Sequence, residues 1–137
     1  MATSIPDVTR RGVVDGIVDL LNTTGGTVKI YPSPVVDVDT VASGELVSIP
    51  LGANPFGAAT DSGGNLATAS LIATPSATAT VTDAALWYRA YDSGGAAVIQ
   101  GSCGTSGEDM TLNTLSIVVD GTVTINTWDV TCGQAQT

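Results

Sequence analysis

Apolar and polar positions along the chain change period once. In DVTRRGVVDGIVDLLNTTGG, Val14, Ile17, Val18 and Leu21 fall at i, i+3, i+4 and i+7, one face of a helix. Val13 and Leu20 widen the stripe, and Arg11, Asp15 and Asp19 sit on the other side at i, i+4 spacing. Ser4 with Asp7 has capping-box form, and Asp7 after Pro6 is an equally good N-cap. Gly25 and Gly26 supply the stop. Gly12 and Gly16 interrupt the helix, and a smooth strip of that kind suits a close contact with a sheet or another helix.

Beyond the helix the period is two. TVKIY (27–31) alternates and ends at Pro32, and PSPVVDVDTVASG reads as a loop or irregular edge, its proline-rich 32–39 part a place for neighbour contacts. ELVSIPL (45–51) is a strand that Pro50 confines to an edge or to its own end. GANPFGAATDSGGN (52–65) is turn chemistry throughout, a long loop of the kind tied to function or to a neighbour. The Ala/Thr alternation over 77–82 fits a strand with small side chains on both faces. AALWYRAY (84–91) is the strongest strand. DSGG (92–95) turns it back into AAVIQGSC (96–103). Asp120-Gly121, between SIVV and TVTINTWDV, is the best short-range hairpin signal in the chain.

These elements predict a mainly β fold: an antiparallel β-sandwich or barrel of about seven or eight strands, with one N-terminal amphipathic α-helix. The 137 residues suit a single domain, with the helix in 1–24, a β-domain over 27–132 and a short tail over 133–137.

Composition narrows function by exclusion. Thirteen acids against four bases give a net charge of −9. Phosphate backbones and anionic membrane surfaces repel such a chain, so neither nucleic acid nor membrane is an expected partner. No apolar run reaches the length of a membrane-spanning helix, and the N-terminus lacks the pattern of a secretory signal. The expected folding compartment is therefore a reducing cytoplasm, which argues against a bond between Cys103 and Cys132. Charged residues are only 12% of the chain, so Thr, Ser, Asn and Gly must supply the polar surface. Such a surface suits packing against copies of the chain or against a partner.

Candidate chemistry is sparse. The chain has no His, which removes the commonest general base and metal ligand. Two cysteines without His make a zinc site improbable. Asp37 and Asp39 share a spacing that suits a strand face, yet calcium needs about six to eight oxygens, and a solvated edge is the expected role. DSGG occurs at 61–64 and 92–95 with no Lys or helix after it, so it reads as a turn rather than a phosphate cradle. No catalytic, cofactor-binding or metal residues are assigned. Trp87, Tyr91 and Trp128 raise the alternative of a carbohydrate- or cell-surface-binding module. On a strand, Trp87 and Tyr88 point to opposite faces, so one is expected in the core and the other exposed or in an interface. Arg89 shares the face of Trp87 and Tyr91, placed to stack on a ring or to pair with a neighbour's acid.

Taken in order, TVKIYPSP, NPFGAATDSGG, the Ala/Thr-rich strands, ALWYRAYDSGGAAVIQGSCG and GEDMTLNTLSIVVDGTVTINTWDVT resemble small structural proteins of tailed-bacteriophage virions, of the capsid decoration (cement) type. The resemblance spans roughly residue 25 to the end and is carried by composition, order and the phrases WYRAYDSGG and DMTL. It implies a β-rich, non-enzymatic protein on the capsid surface, assembled in the host cytoplasm. The implied partners are the major capsid protein and further copies of the chain, as a trimer. A tail or head–tail connector protein of the same particle is the close alternative. The expected interface residues are Gly12, Gly16, Asn54, Phe56, Trp87, Arg89 and Tyr91.

Overall fold

The computed structural model describes residues 6–22, 25–63 and 66–133. Ser4 and residues 134–137 of the expected tail lie outside the described residues, as does Gly64 of the first DSGG. One helix, α1 (Asp7–Asn22), precedes eleven strands: β1 (Thr27–Tyr31), β2 (Val47–Pro50), β3 (Thr60–Gly63), β4 (Leu66–Ser70), β5 (Ser76–Thr78), β6 (Asp83–Ala84), β7 (Trp87–Tyr91), β8 (Ala97–Gly104), β9 (Met110–Leu112), β10 (Ser116–Ile117) and β11 (Thr122–Gly133). The fold is mainly β with one N-terminal helix, as the pattern predicts. The strands form a curled sheet in the order β2-β1-β7-β8-β9-β11-β4-β3, with β5 also on β11 and a separate β10-β6 pair. All pairs are antiparallel except β8–β9.

The helix buries Val14, Val18 and Leu21 against β4, β11 and β8. Val13 and Leu20 do not join that stripe; they are exposed, and Arg10 extends it instead. Arg10 lies one turn before Val14 on the buried face, and its guanidinium reaches Asp7 at 3.8 Å. Arg11 also pairs with Asp7, at 2.8 Å, rather than with Asp15. Asp7 therefore acts as a first-turn anion favoured by the helix dipole, while the Pro6 carbonyl accepts the first helical N–H groups. Gly25 is left-handed, φ 69°, as the C-terminal stop requires. Gly26 is needed for another reason: a Cβ there would strike the Tyr91 carbonyl and the Leu21 side chain.

Strand β11 shows how the core is filled. It pairs with β5 at its start, with β9 in its middle and with β4 at its end. Val123 and Ile125 face inward on odd positions, Trp128 and Val130 on even ones. The phase shifts because the register slips between Ile125 and Thr127, a bulge that adds one residue. Strict alternation would have put Trp128 in solvent. Instead it is fully buried, with the rings of Phe56 and Tyr88 edge-on at 4.8 and 5.3 Å.

Three local expectations hold only in part. The turn at Asp120-Gly121 forms, with Asp120 left-handed at φ 69°, but the flanking segments do not pair with each other. Ser116 and Ile117 pair with β6, and Thr122–Thr124 pair with β5. The Ala/Thr run is extended in a ladder only to Thr78; past it, Ala79 bonds to Gly121 and Thr80 to Leu46. The 52–65 stretch is not all loop, because Thr60–Gly63 forms β3 on β4 and Phe56 bridges Leu71. Cys103 and Cys132 are not joined by a disulfide.

Candidate interaction surface

Strand β7 lies between β1 and β8 with two finished faces. Tyr88 and Ala90 point to the core, where the Tyr88 hydroxyl accepts from the Trp128 indole at 3.0 Å. Trp87, Arg89 and Tyr91 point the other way. Register places Tyr31 beside Trp87, and Lys29 and Gln100 on either side of Arg89. This outer face is not open: the irregular segment 32–43 folds across it as a strap.

Side chains grip the strap by its backbone. The Trp87 indole donates to the Pro32 carbonyl at 2.9 Å. Arg89 donates through Nη2 to the Asp37 carbonyl at 2.8 Å and through Nη1 to the Thr40 carbonyl at 2.7 Å. Its Nε and Nη2 also reach Gln100 Oε1 at 2.9 and 2.7 Å, and the Gln100 amide donates onward to the Val36 carbonyl at 2.9 Å. Arg89 is 2% exposed, and among the described residues no carboxylate forms an ion pair with it. Neutral carbonyls thus replace water around a buried cation, an arrangement the planar guanidinium fork suits and an ammonium does not. The guanidinium also lies 5.3 Å from the Trp87 ring.

The aromatics complete the same layer. Tyr31 stacks on Trp87 at 4.4 Å, and its hydroxyl shares a hydrogen bond with that of Tyr91 at 2.9 Å. Burial, helped by that bond, pushes the Tyr31 hydroxyl well above its ordinary pKa. Lys29 sits 5.5 Å from the Tyr91 ring and pairs with Glu45 at 3.5 Å. Beside the strap an open groove of about 690 Å³ runs past Lys29, Ser48, Thr40, Tyr91 and Ser93.

The expected interface residues separate on this frame. Trp87 and Arg89 are interior, covered by the chain's own strap, and Tyr91 is half-buried at the groove. Tyr88 is interior too, so neither face of β7 is left bare. Phe56 is core: its N–H donates to Asn22 Oδ1 and its carbonyl accepts from Asn22 Nδ2, at 2.9 and 3.2 Å, which pins the 52–59 segment to α1. Asp15 adds a bond from the Ala59 N–H at 2.7 Å. Asn54 is exposed, left-handed at φ 50°, and its N–H meets the last helical carbonyl, of Asn22, at 3.4 Å. Gly12 and Gly16 face open space, with nothing within 4 Å of where a Cβ would lie, so the strip does not serve a helix-to-sheet contact.

The sugar platform is not assembled. Trp128 lies on the core side of the sheet, Trp87 lies under the strap, and both are buried. Asp37 and Asp39 form a local turn in which Asp37 Oδ1 accepts from the Asp39 N–H at 2.9 Å. Among the described residues no group of three or more His, Cys, Asp or Glu side chains is placed to hold a metal ion. What sequence reasoning missed is that the 32–39 loop folds back over β7 of its own chain. A Trp-x-Arg strand facing a Gln on the next strand is a usable signal of a gripped loop only once register is known. Comparison with protein-family models, curated proteins and solved structures finds no match to the chain.

Proposed function

We propose that the chain is a non-enzymatic structural protein of a tailed-bacteriophage virion that binds the outside of the assembled capsid and stabilises the shell as a trimer. The resemblance of its ordered segments suggests the setting. The observation that carries it in the structure is the kind of surface it shows: large apolar side chains stand out singly from a weakly charged molecule. Val41 is 91% exposed, Ile72 70% and Val8 66%. Exposed apolar side chains on a weakly charged surface can be buried against neighbours, which supports the reading. A protein that binds only the assembled shell stabilises it by mass action, by an amount that grows with its concentration over Kd. A trimer matches the local threefold symmetry of a capsid lattice.

The test is direct. Purified protein is added to heads stripped of it, and the heads are heated. Binding with a rise in the temperature of genome release is the expected result; no binding and no rise would sink the proposal. The mass of the purified protein in solution separates a trimer from the hexameric ring of a tail-tube protein.

A further inference from the structure

The strap turns several backbone carbonyls inward and exposes three of its four valines. The carbonyls of Pro32, Val36, Asp37 and Thr40 are bonded to Trp87, Gln100 and Arg89 beneath, while most side chains from Ser33 to Ser43 are exposed, three large apolar ones among them. These are Val35, Val38 and Val41, exposed by 55, 41 and 91%. Single exposed valines are ordinary on a protein surface; three within seven residues of one strap are a denser apolar display. Between them stand the exposed carboxylates of Asp37 and Asp39.

Charge identifies what these valines meet. The chain's four cations are all engaged within it: Arg10 and Arg11 with Asp7, Lys29 with Glu45, and Arg89 under the strap. A second copy would therefore bring acids against the strap's acids and no spare cation. Nucleic acid and anionic membrane are repelled for the same reason. We propose that the strap is a docking arm for a protein surface in which lysines or arginines border an apolar hollow, the valines entering the hollow and Asp37 and Asp39 meeting the cations. Arg89 acts as the positioning residue that holds the arm in its presenting shape. This deepens the shell-binding reading above, on which it rests, by assigning that contact to the strap and giving the shell's receiving surface a basic, apolar character; copies of the chain meet elsewhere.

Two probes separate the inference from the reading it rests on. The first is polylysine carrying octanoyl groups, compared with plain polylysine, by surface binding. The native chain is expected to prefer the acylated polymer about 10-fold, with both affinities falling as salt rises. The triple variant Val35→Ser, Val38→Ser, Val41→Ser is expected to lose that preference while keeping its affinity for the plain polymer. Val118→Ser with Val119→Ser, an exposed apolar pair elsewhere, is expected to keep it. Arg89→Lys, which leaves all three valines in place, is expected to weaken the preference. No preference in the native chain, or a preference that survives in the triple variant, overturns the inference whatever the shells show. Equal loss in the Val118/Val119 pair overturns it too. The second probe is the stripped heads. Native binding with at least a 10-fold loss in the triple variant supports both statements, on the area of valine removed. Native binding that the triple variant retains overturns the docking arm alone. Failure of the native chain to bind heads, with the polymer preference intact, overturns the shell reading and leaves the chemistry of the arm standing.

Discussion

On the two faces of β7, Tyr88 with Ala90 and Trp87 with Arg89 are equally buried and are closed by opposite means. On the inner face, Tyr88 and Ala90 join a dry cluster built around Trp128, where apolar area removed from water does most of the stabilising. On the outer face, Trp87 and Arg89 lie under one irregular strand of chain, and hydrogen bonds from side chains to backbone carbonyls hold the cover down. The inner closure is shared by many elements, so losing part of it weakens the whole molecule. The outer closure depends on a few donors, so losing one frees a segment. Burial alone does not report which kind of closure a residue belongs to; the partner atoms do.

The largest expected effect is on the inner face. Trp128→Ala removes a fully buried ring that touches Phe56 and Tyr88, and is expected to cost about 3–5 kcal/mol. A fall in the midpoint of denaturant unfolding, uniform across fluorescence and circular dichroism, checks it; a loss under about 1 kcal/mol would mean that the centre of the core has been misplaced.

Arg89→Ala should come next, at about 2 kcal/mol, because four bonds from a buried cation go while the freed carbonyls regain water as the strap lifts. The difference in kind matters more than the size. Limited proteolysis is expected to cut within 33–43 while the remaining domain stays folded. Arg89→Lys is expected to behave almost as badly, since an ammonium cannot span Thr40, Asp37 and Gln100. Global unfolding without early cleavage in the strap would erase the contrast between the faces.

Tyr88→Phe sharpens the comparison by removing a polar atom from the apolar side. The Trp128 indole then loses its acceptor, at a cost of about 1 kcal/mol. It also bears on pH. Burial pushes the Tyr88 hydroxyl from 10.0 up to about 12. Its folded pKa is raised, so the folded state holds the proton more tightly; the stability it contributes is complete below pH 10 and is lost as pH rises towards 12. Tyr88→Phe should show a shallower decline over that window in denaturant titrations at fixed pH. An unchanged slope would assign the decline to other groups.

The smallest expected effect is Tyr91→Phe. It breaks the shared bond with Tyr31 at a half-buried position, and a change of about 0.5 kcal/mol is expected. The Tyr31 hydroxyl also loses one of the influences raising its pKa, so its ultraviolet titration should move to lower pH.

Local pattern carried the helix, the alternation of Thr27–Tyr31, the strand through Trp87–Tyr91 and the turn at Asp92, whose Oδ1 accepts from the Gly94 and Ala96 N–H groups. Each of these rests on neighbours a few residues apart, which is the range over which periodicity and turn chemistry act. The same reasoning placed Trp87 and Tyr88 on opposite faces. It also expected one of those faces to be exposed or in an interface, because nothing near them in the chain announces that the strap will return to cover it.

What the tertiary structure decided is who pairs with whom. Asp120-Gly121 has the chemistry of a hairpin and makes its turn, yet β6 and β5 take the flanking segments. The bulge in β11 sends Trp128 inward, and Phe56 follows it into the core from a stretch that reads as loop. Arg89 is buried because distant carbonyls came to it. The physical reason is common to all of them. Backbone N–H and C=O groups are the same at every residue, so strand pairing and loop docking carry no local label. They are chosen by which arrangement lets the whole chain bury its apolar side chains while leaving few buried polar groups without a partner.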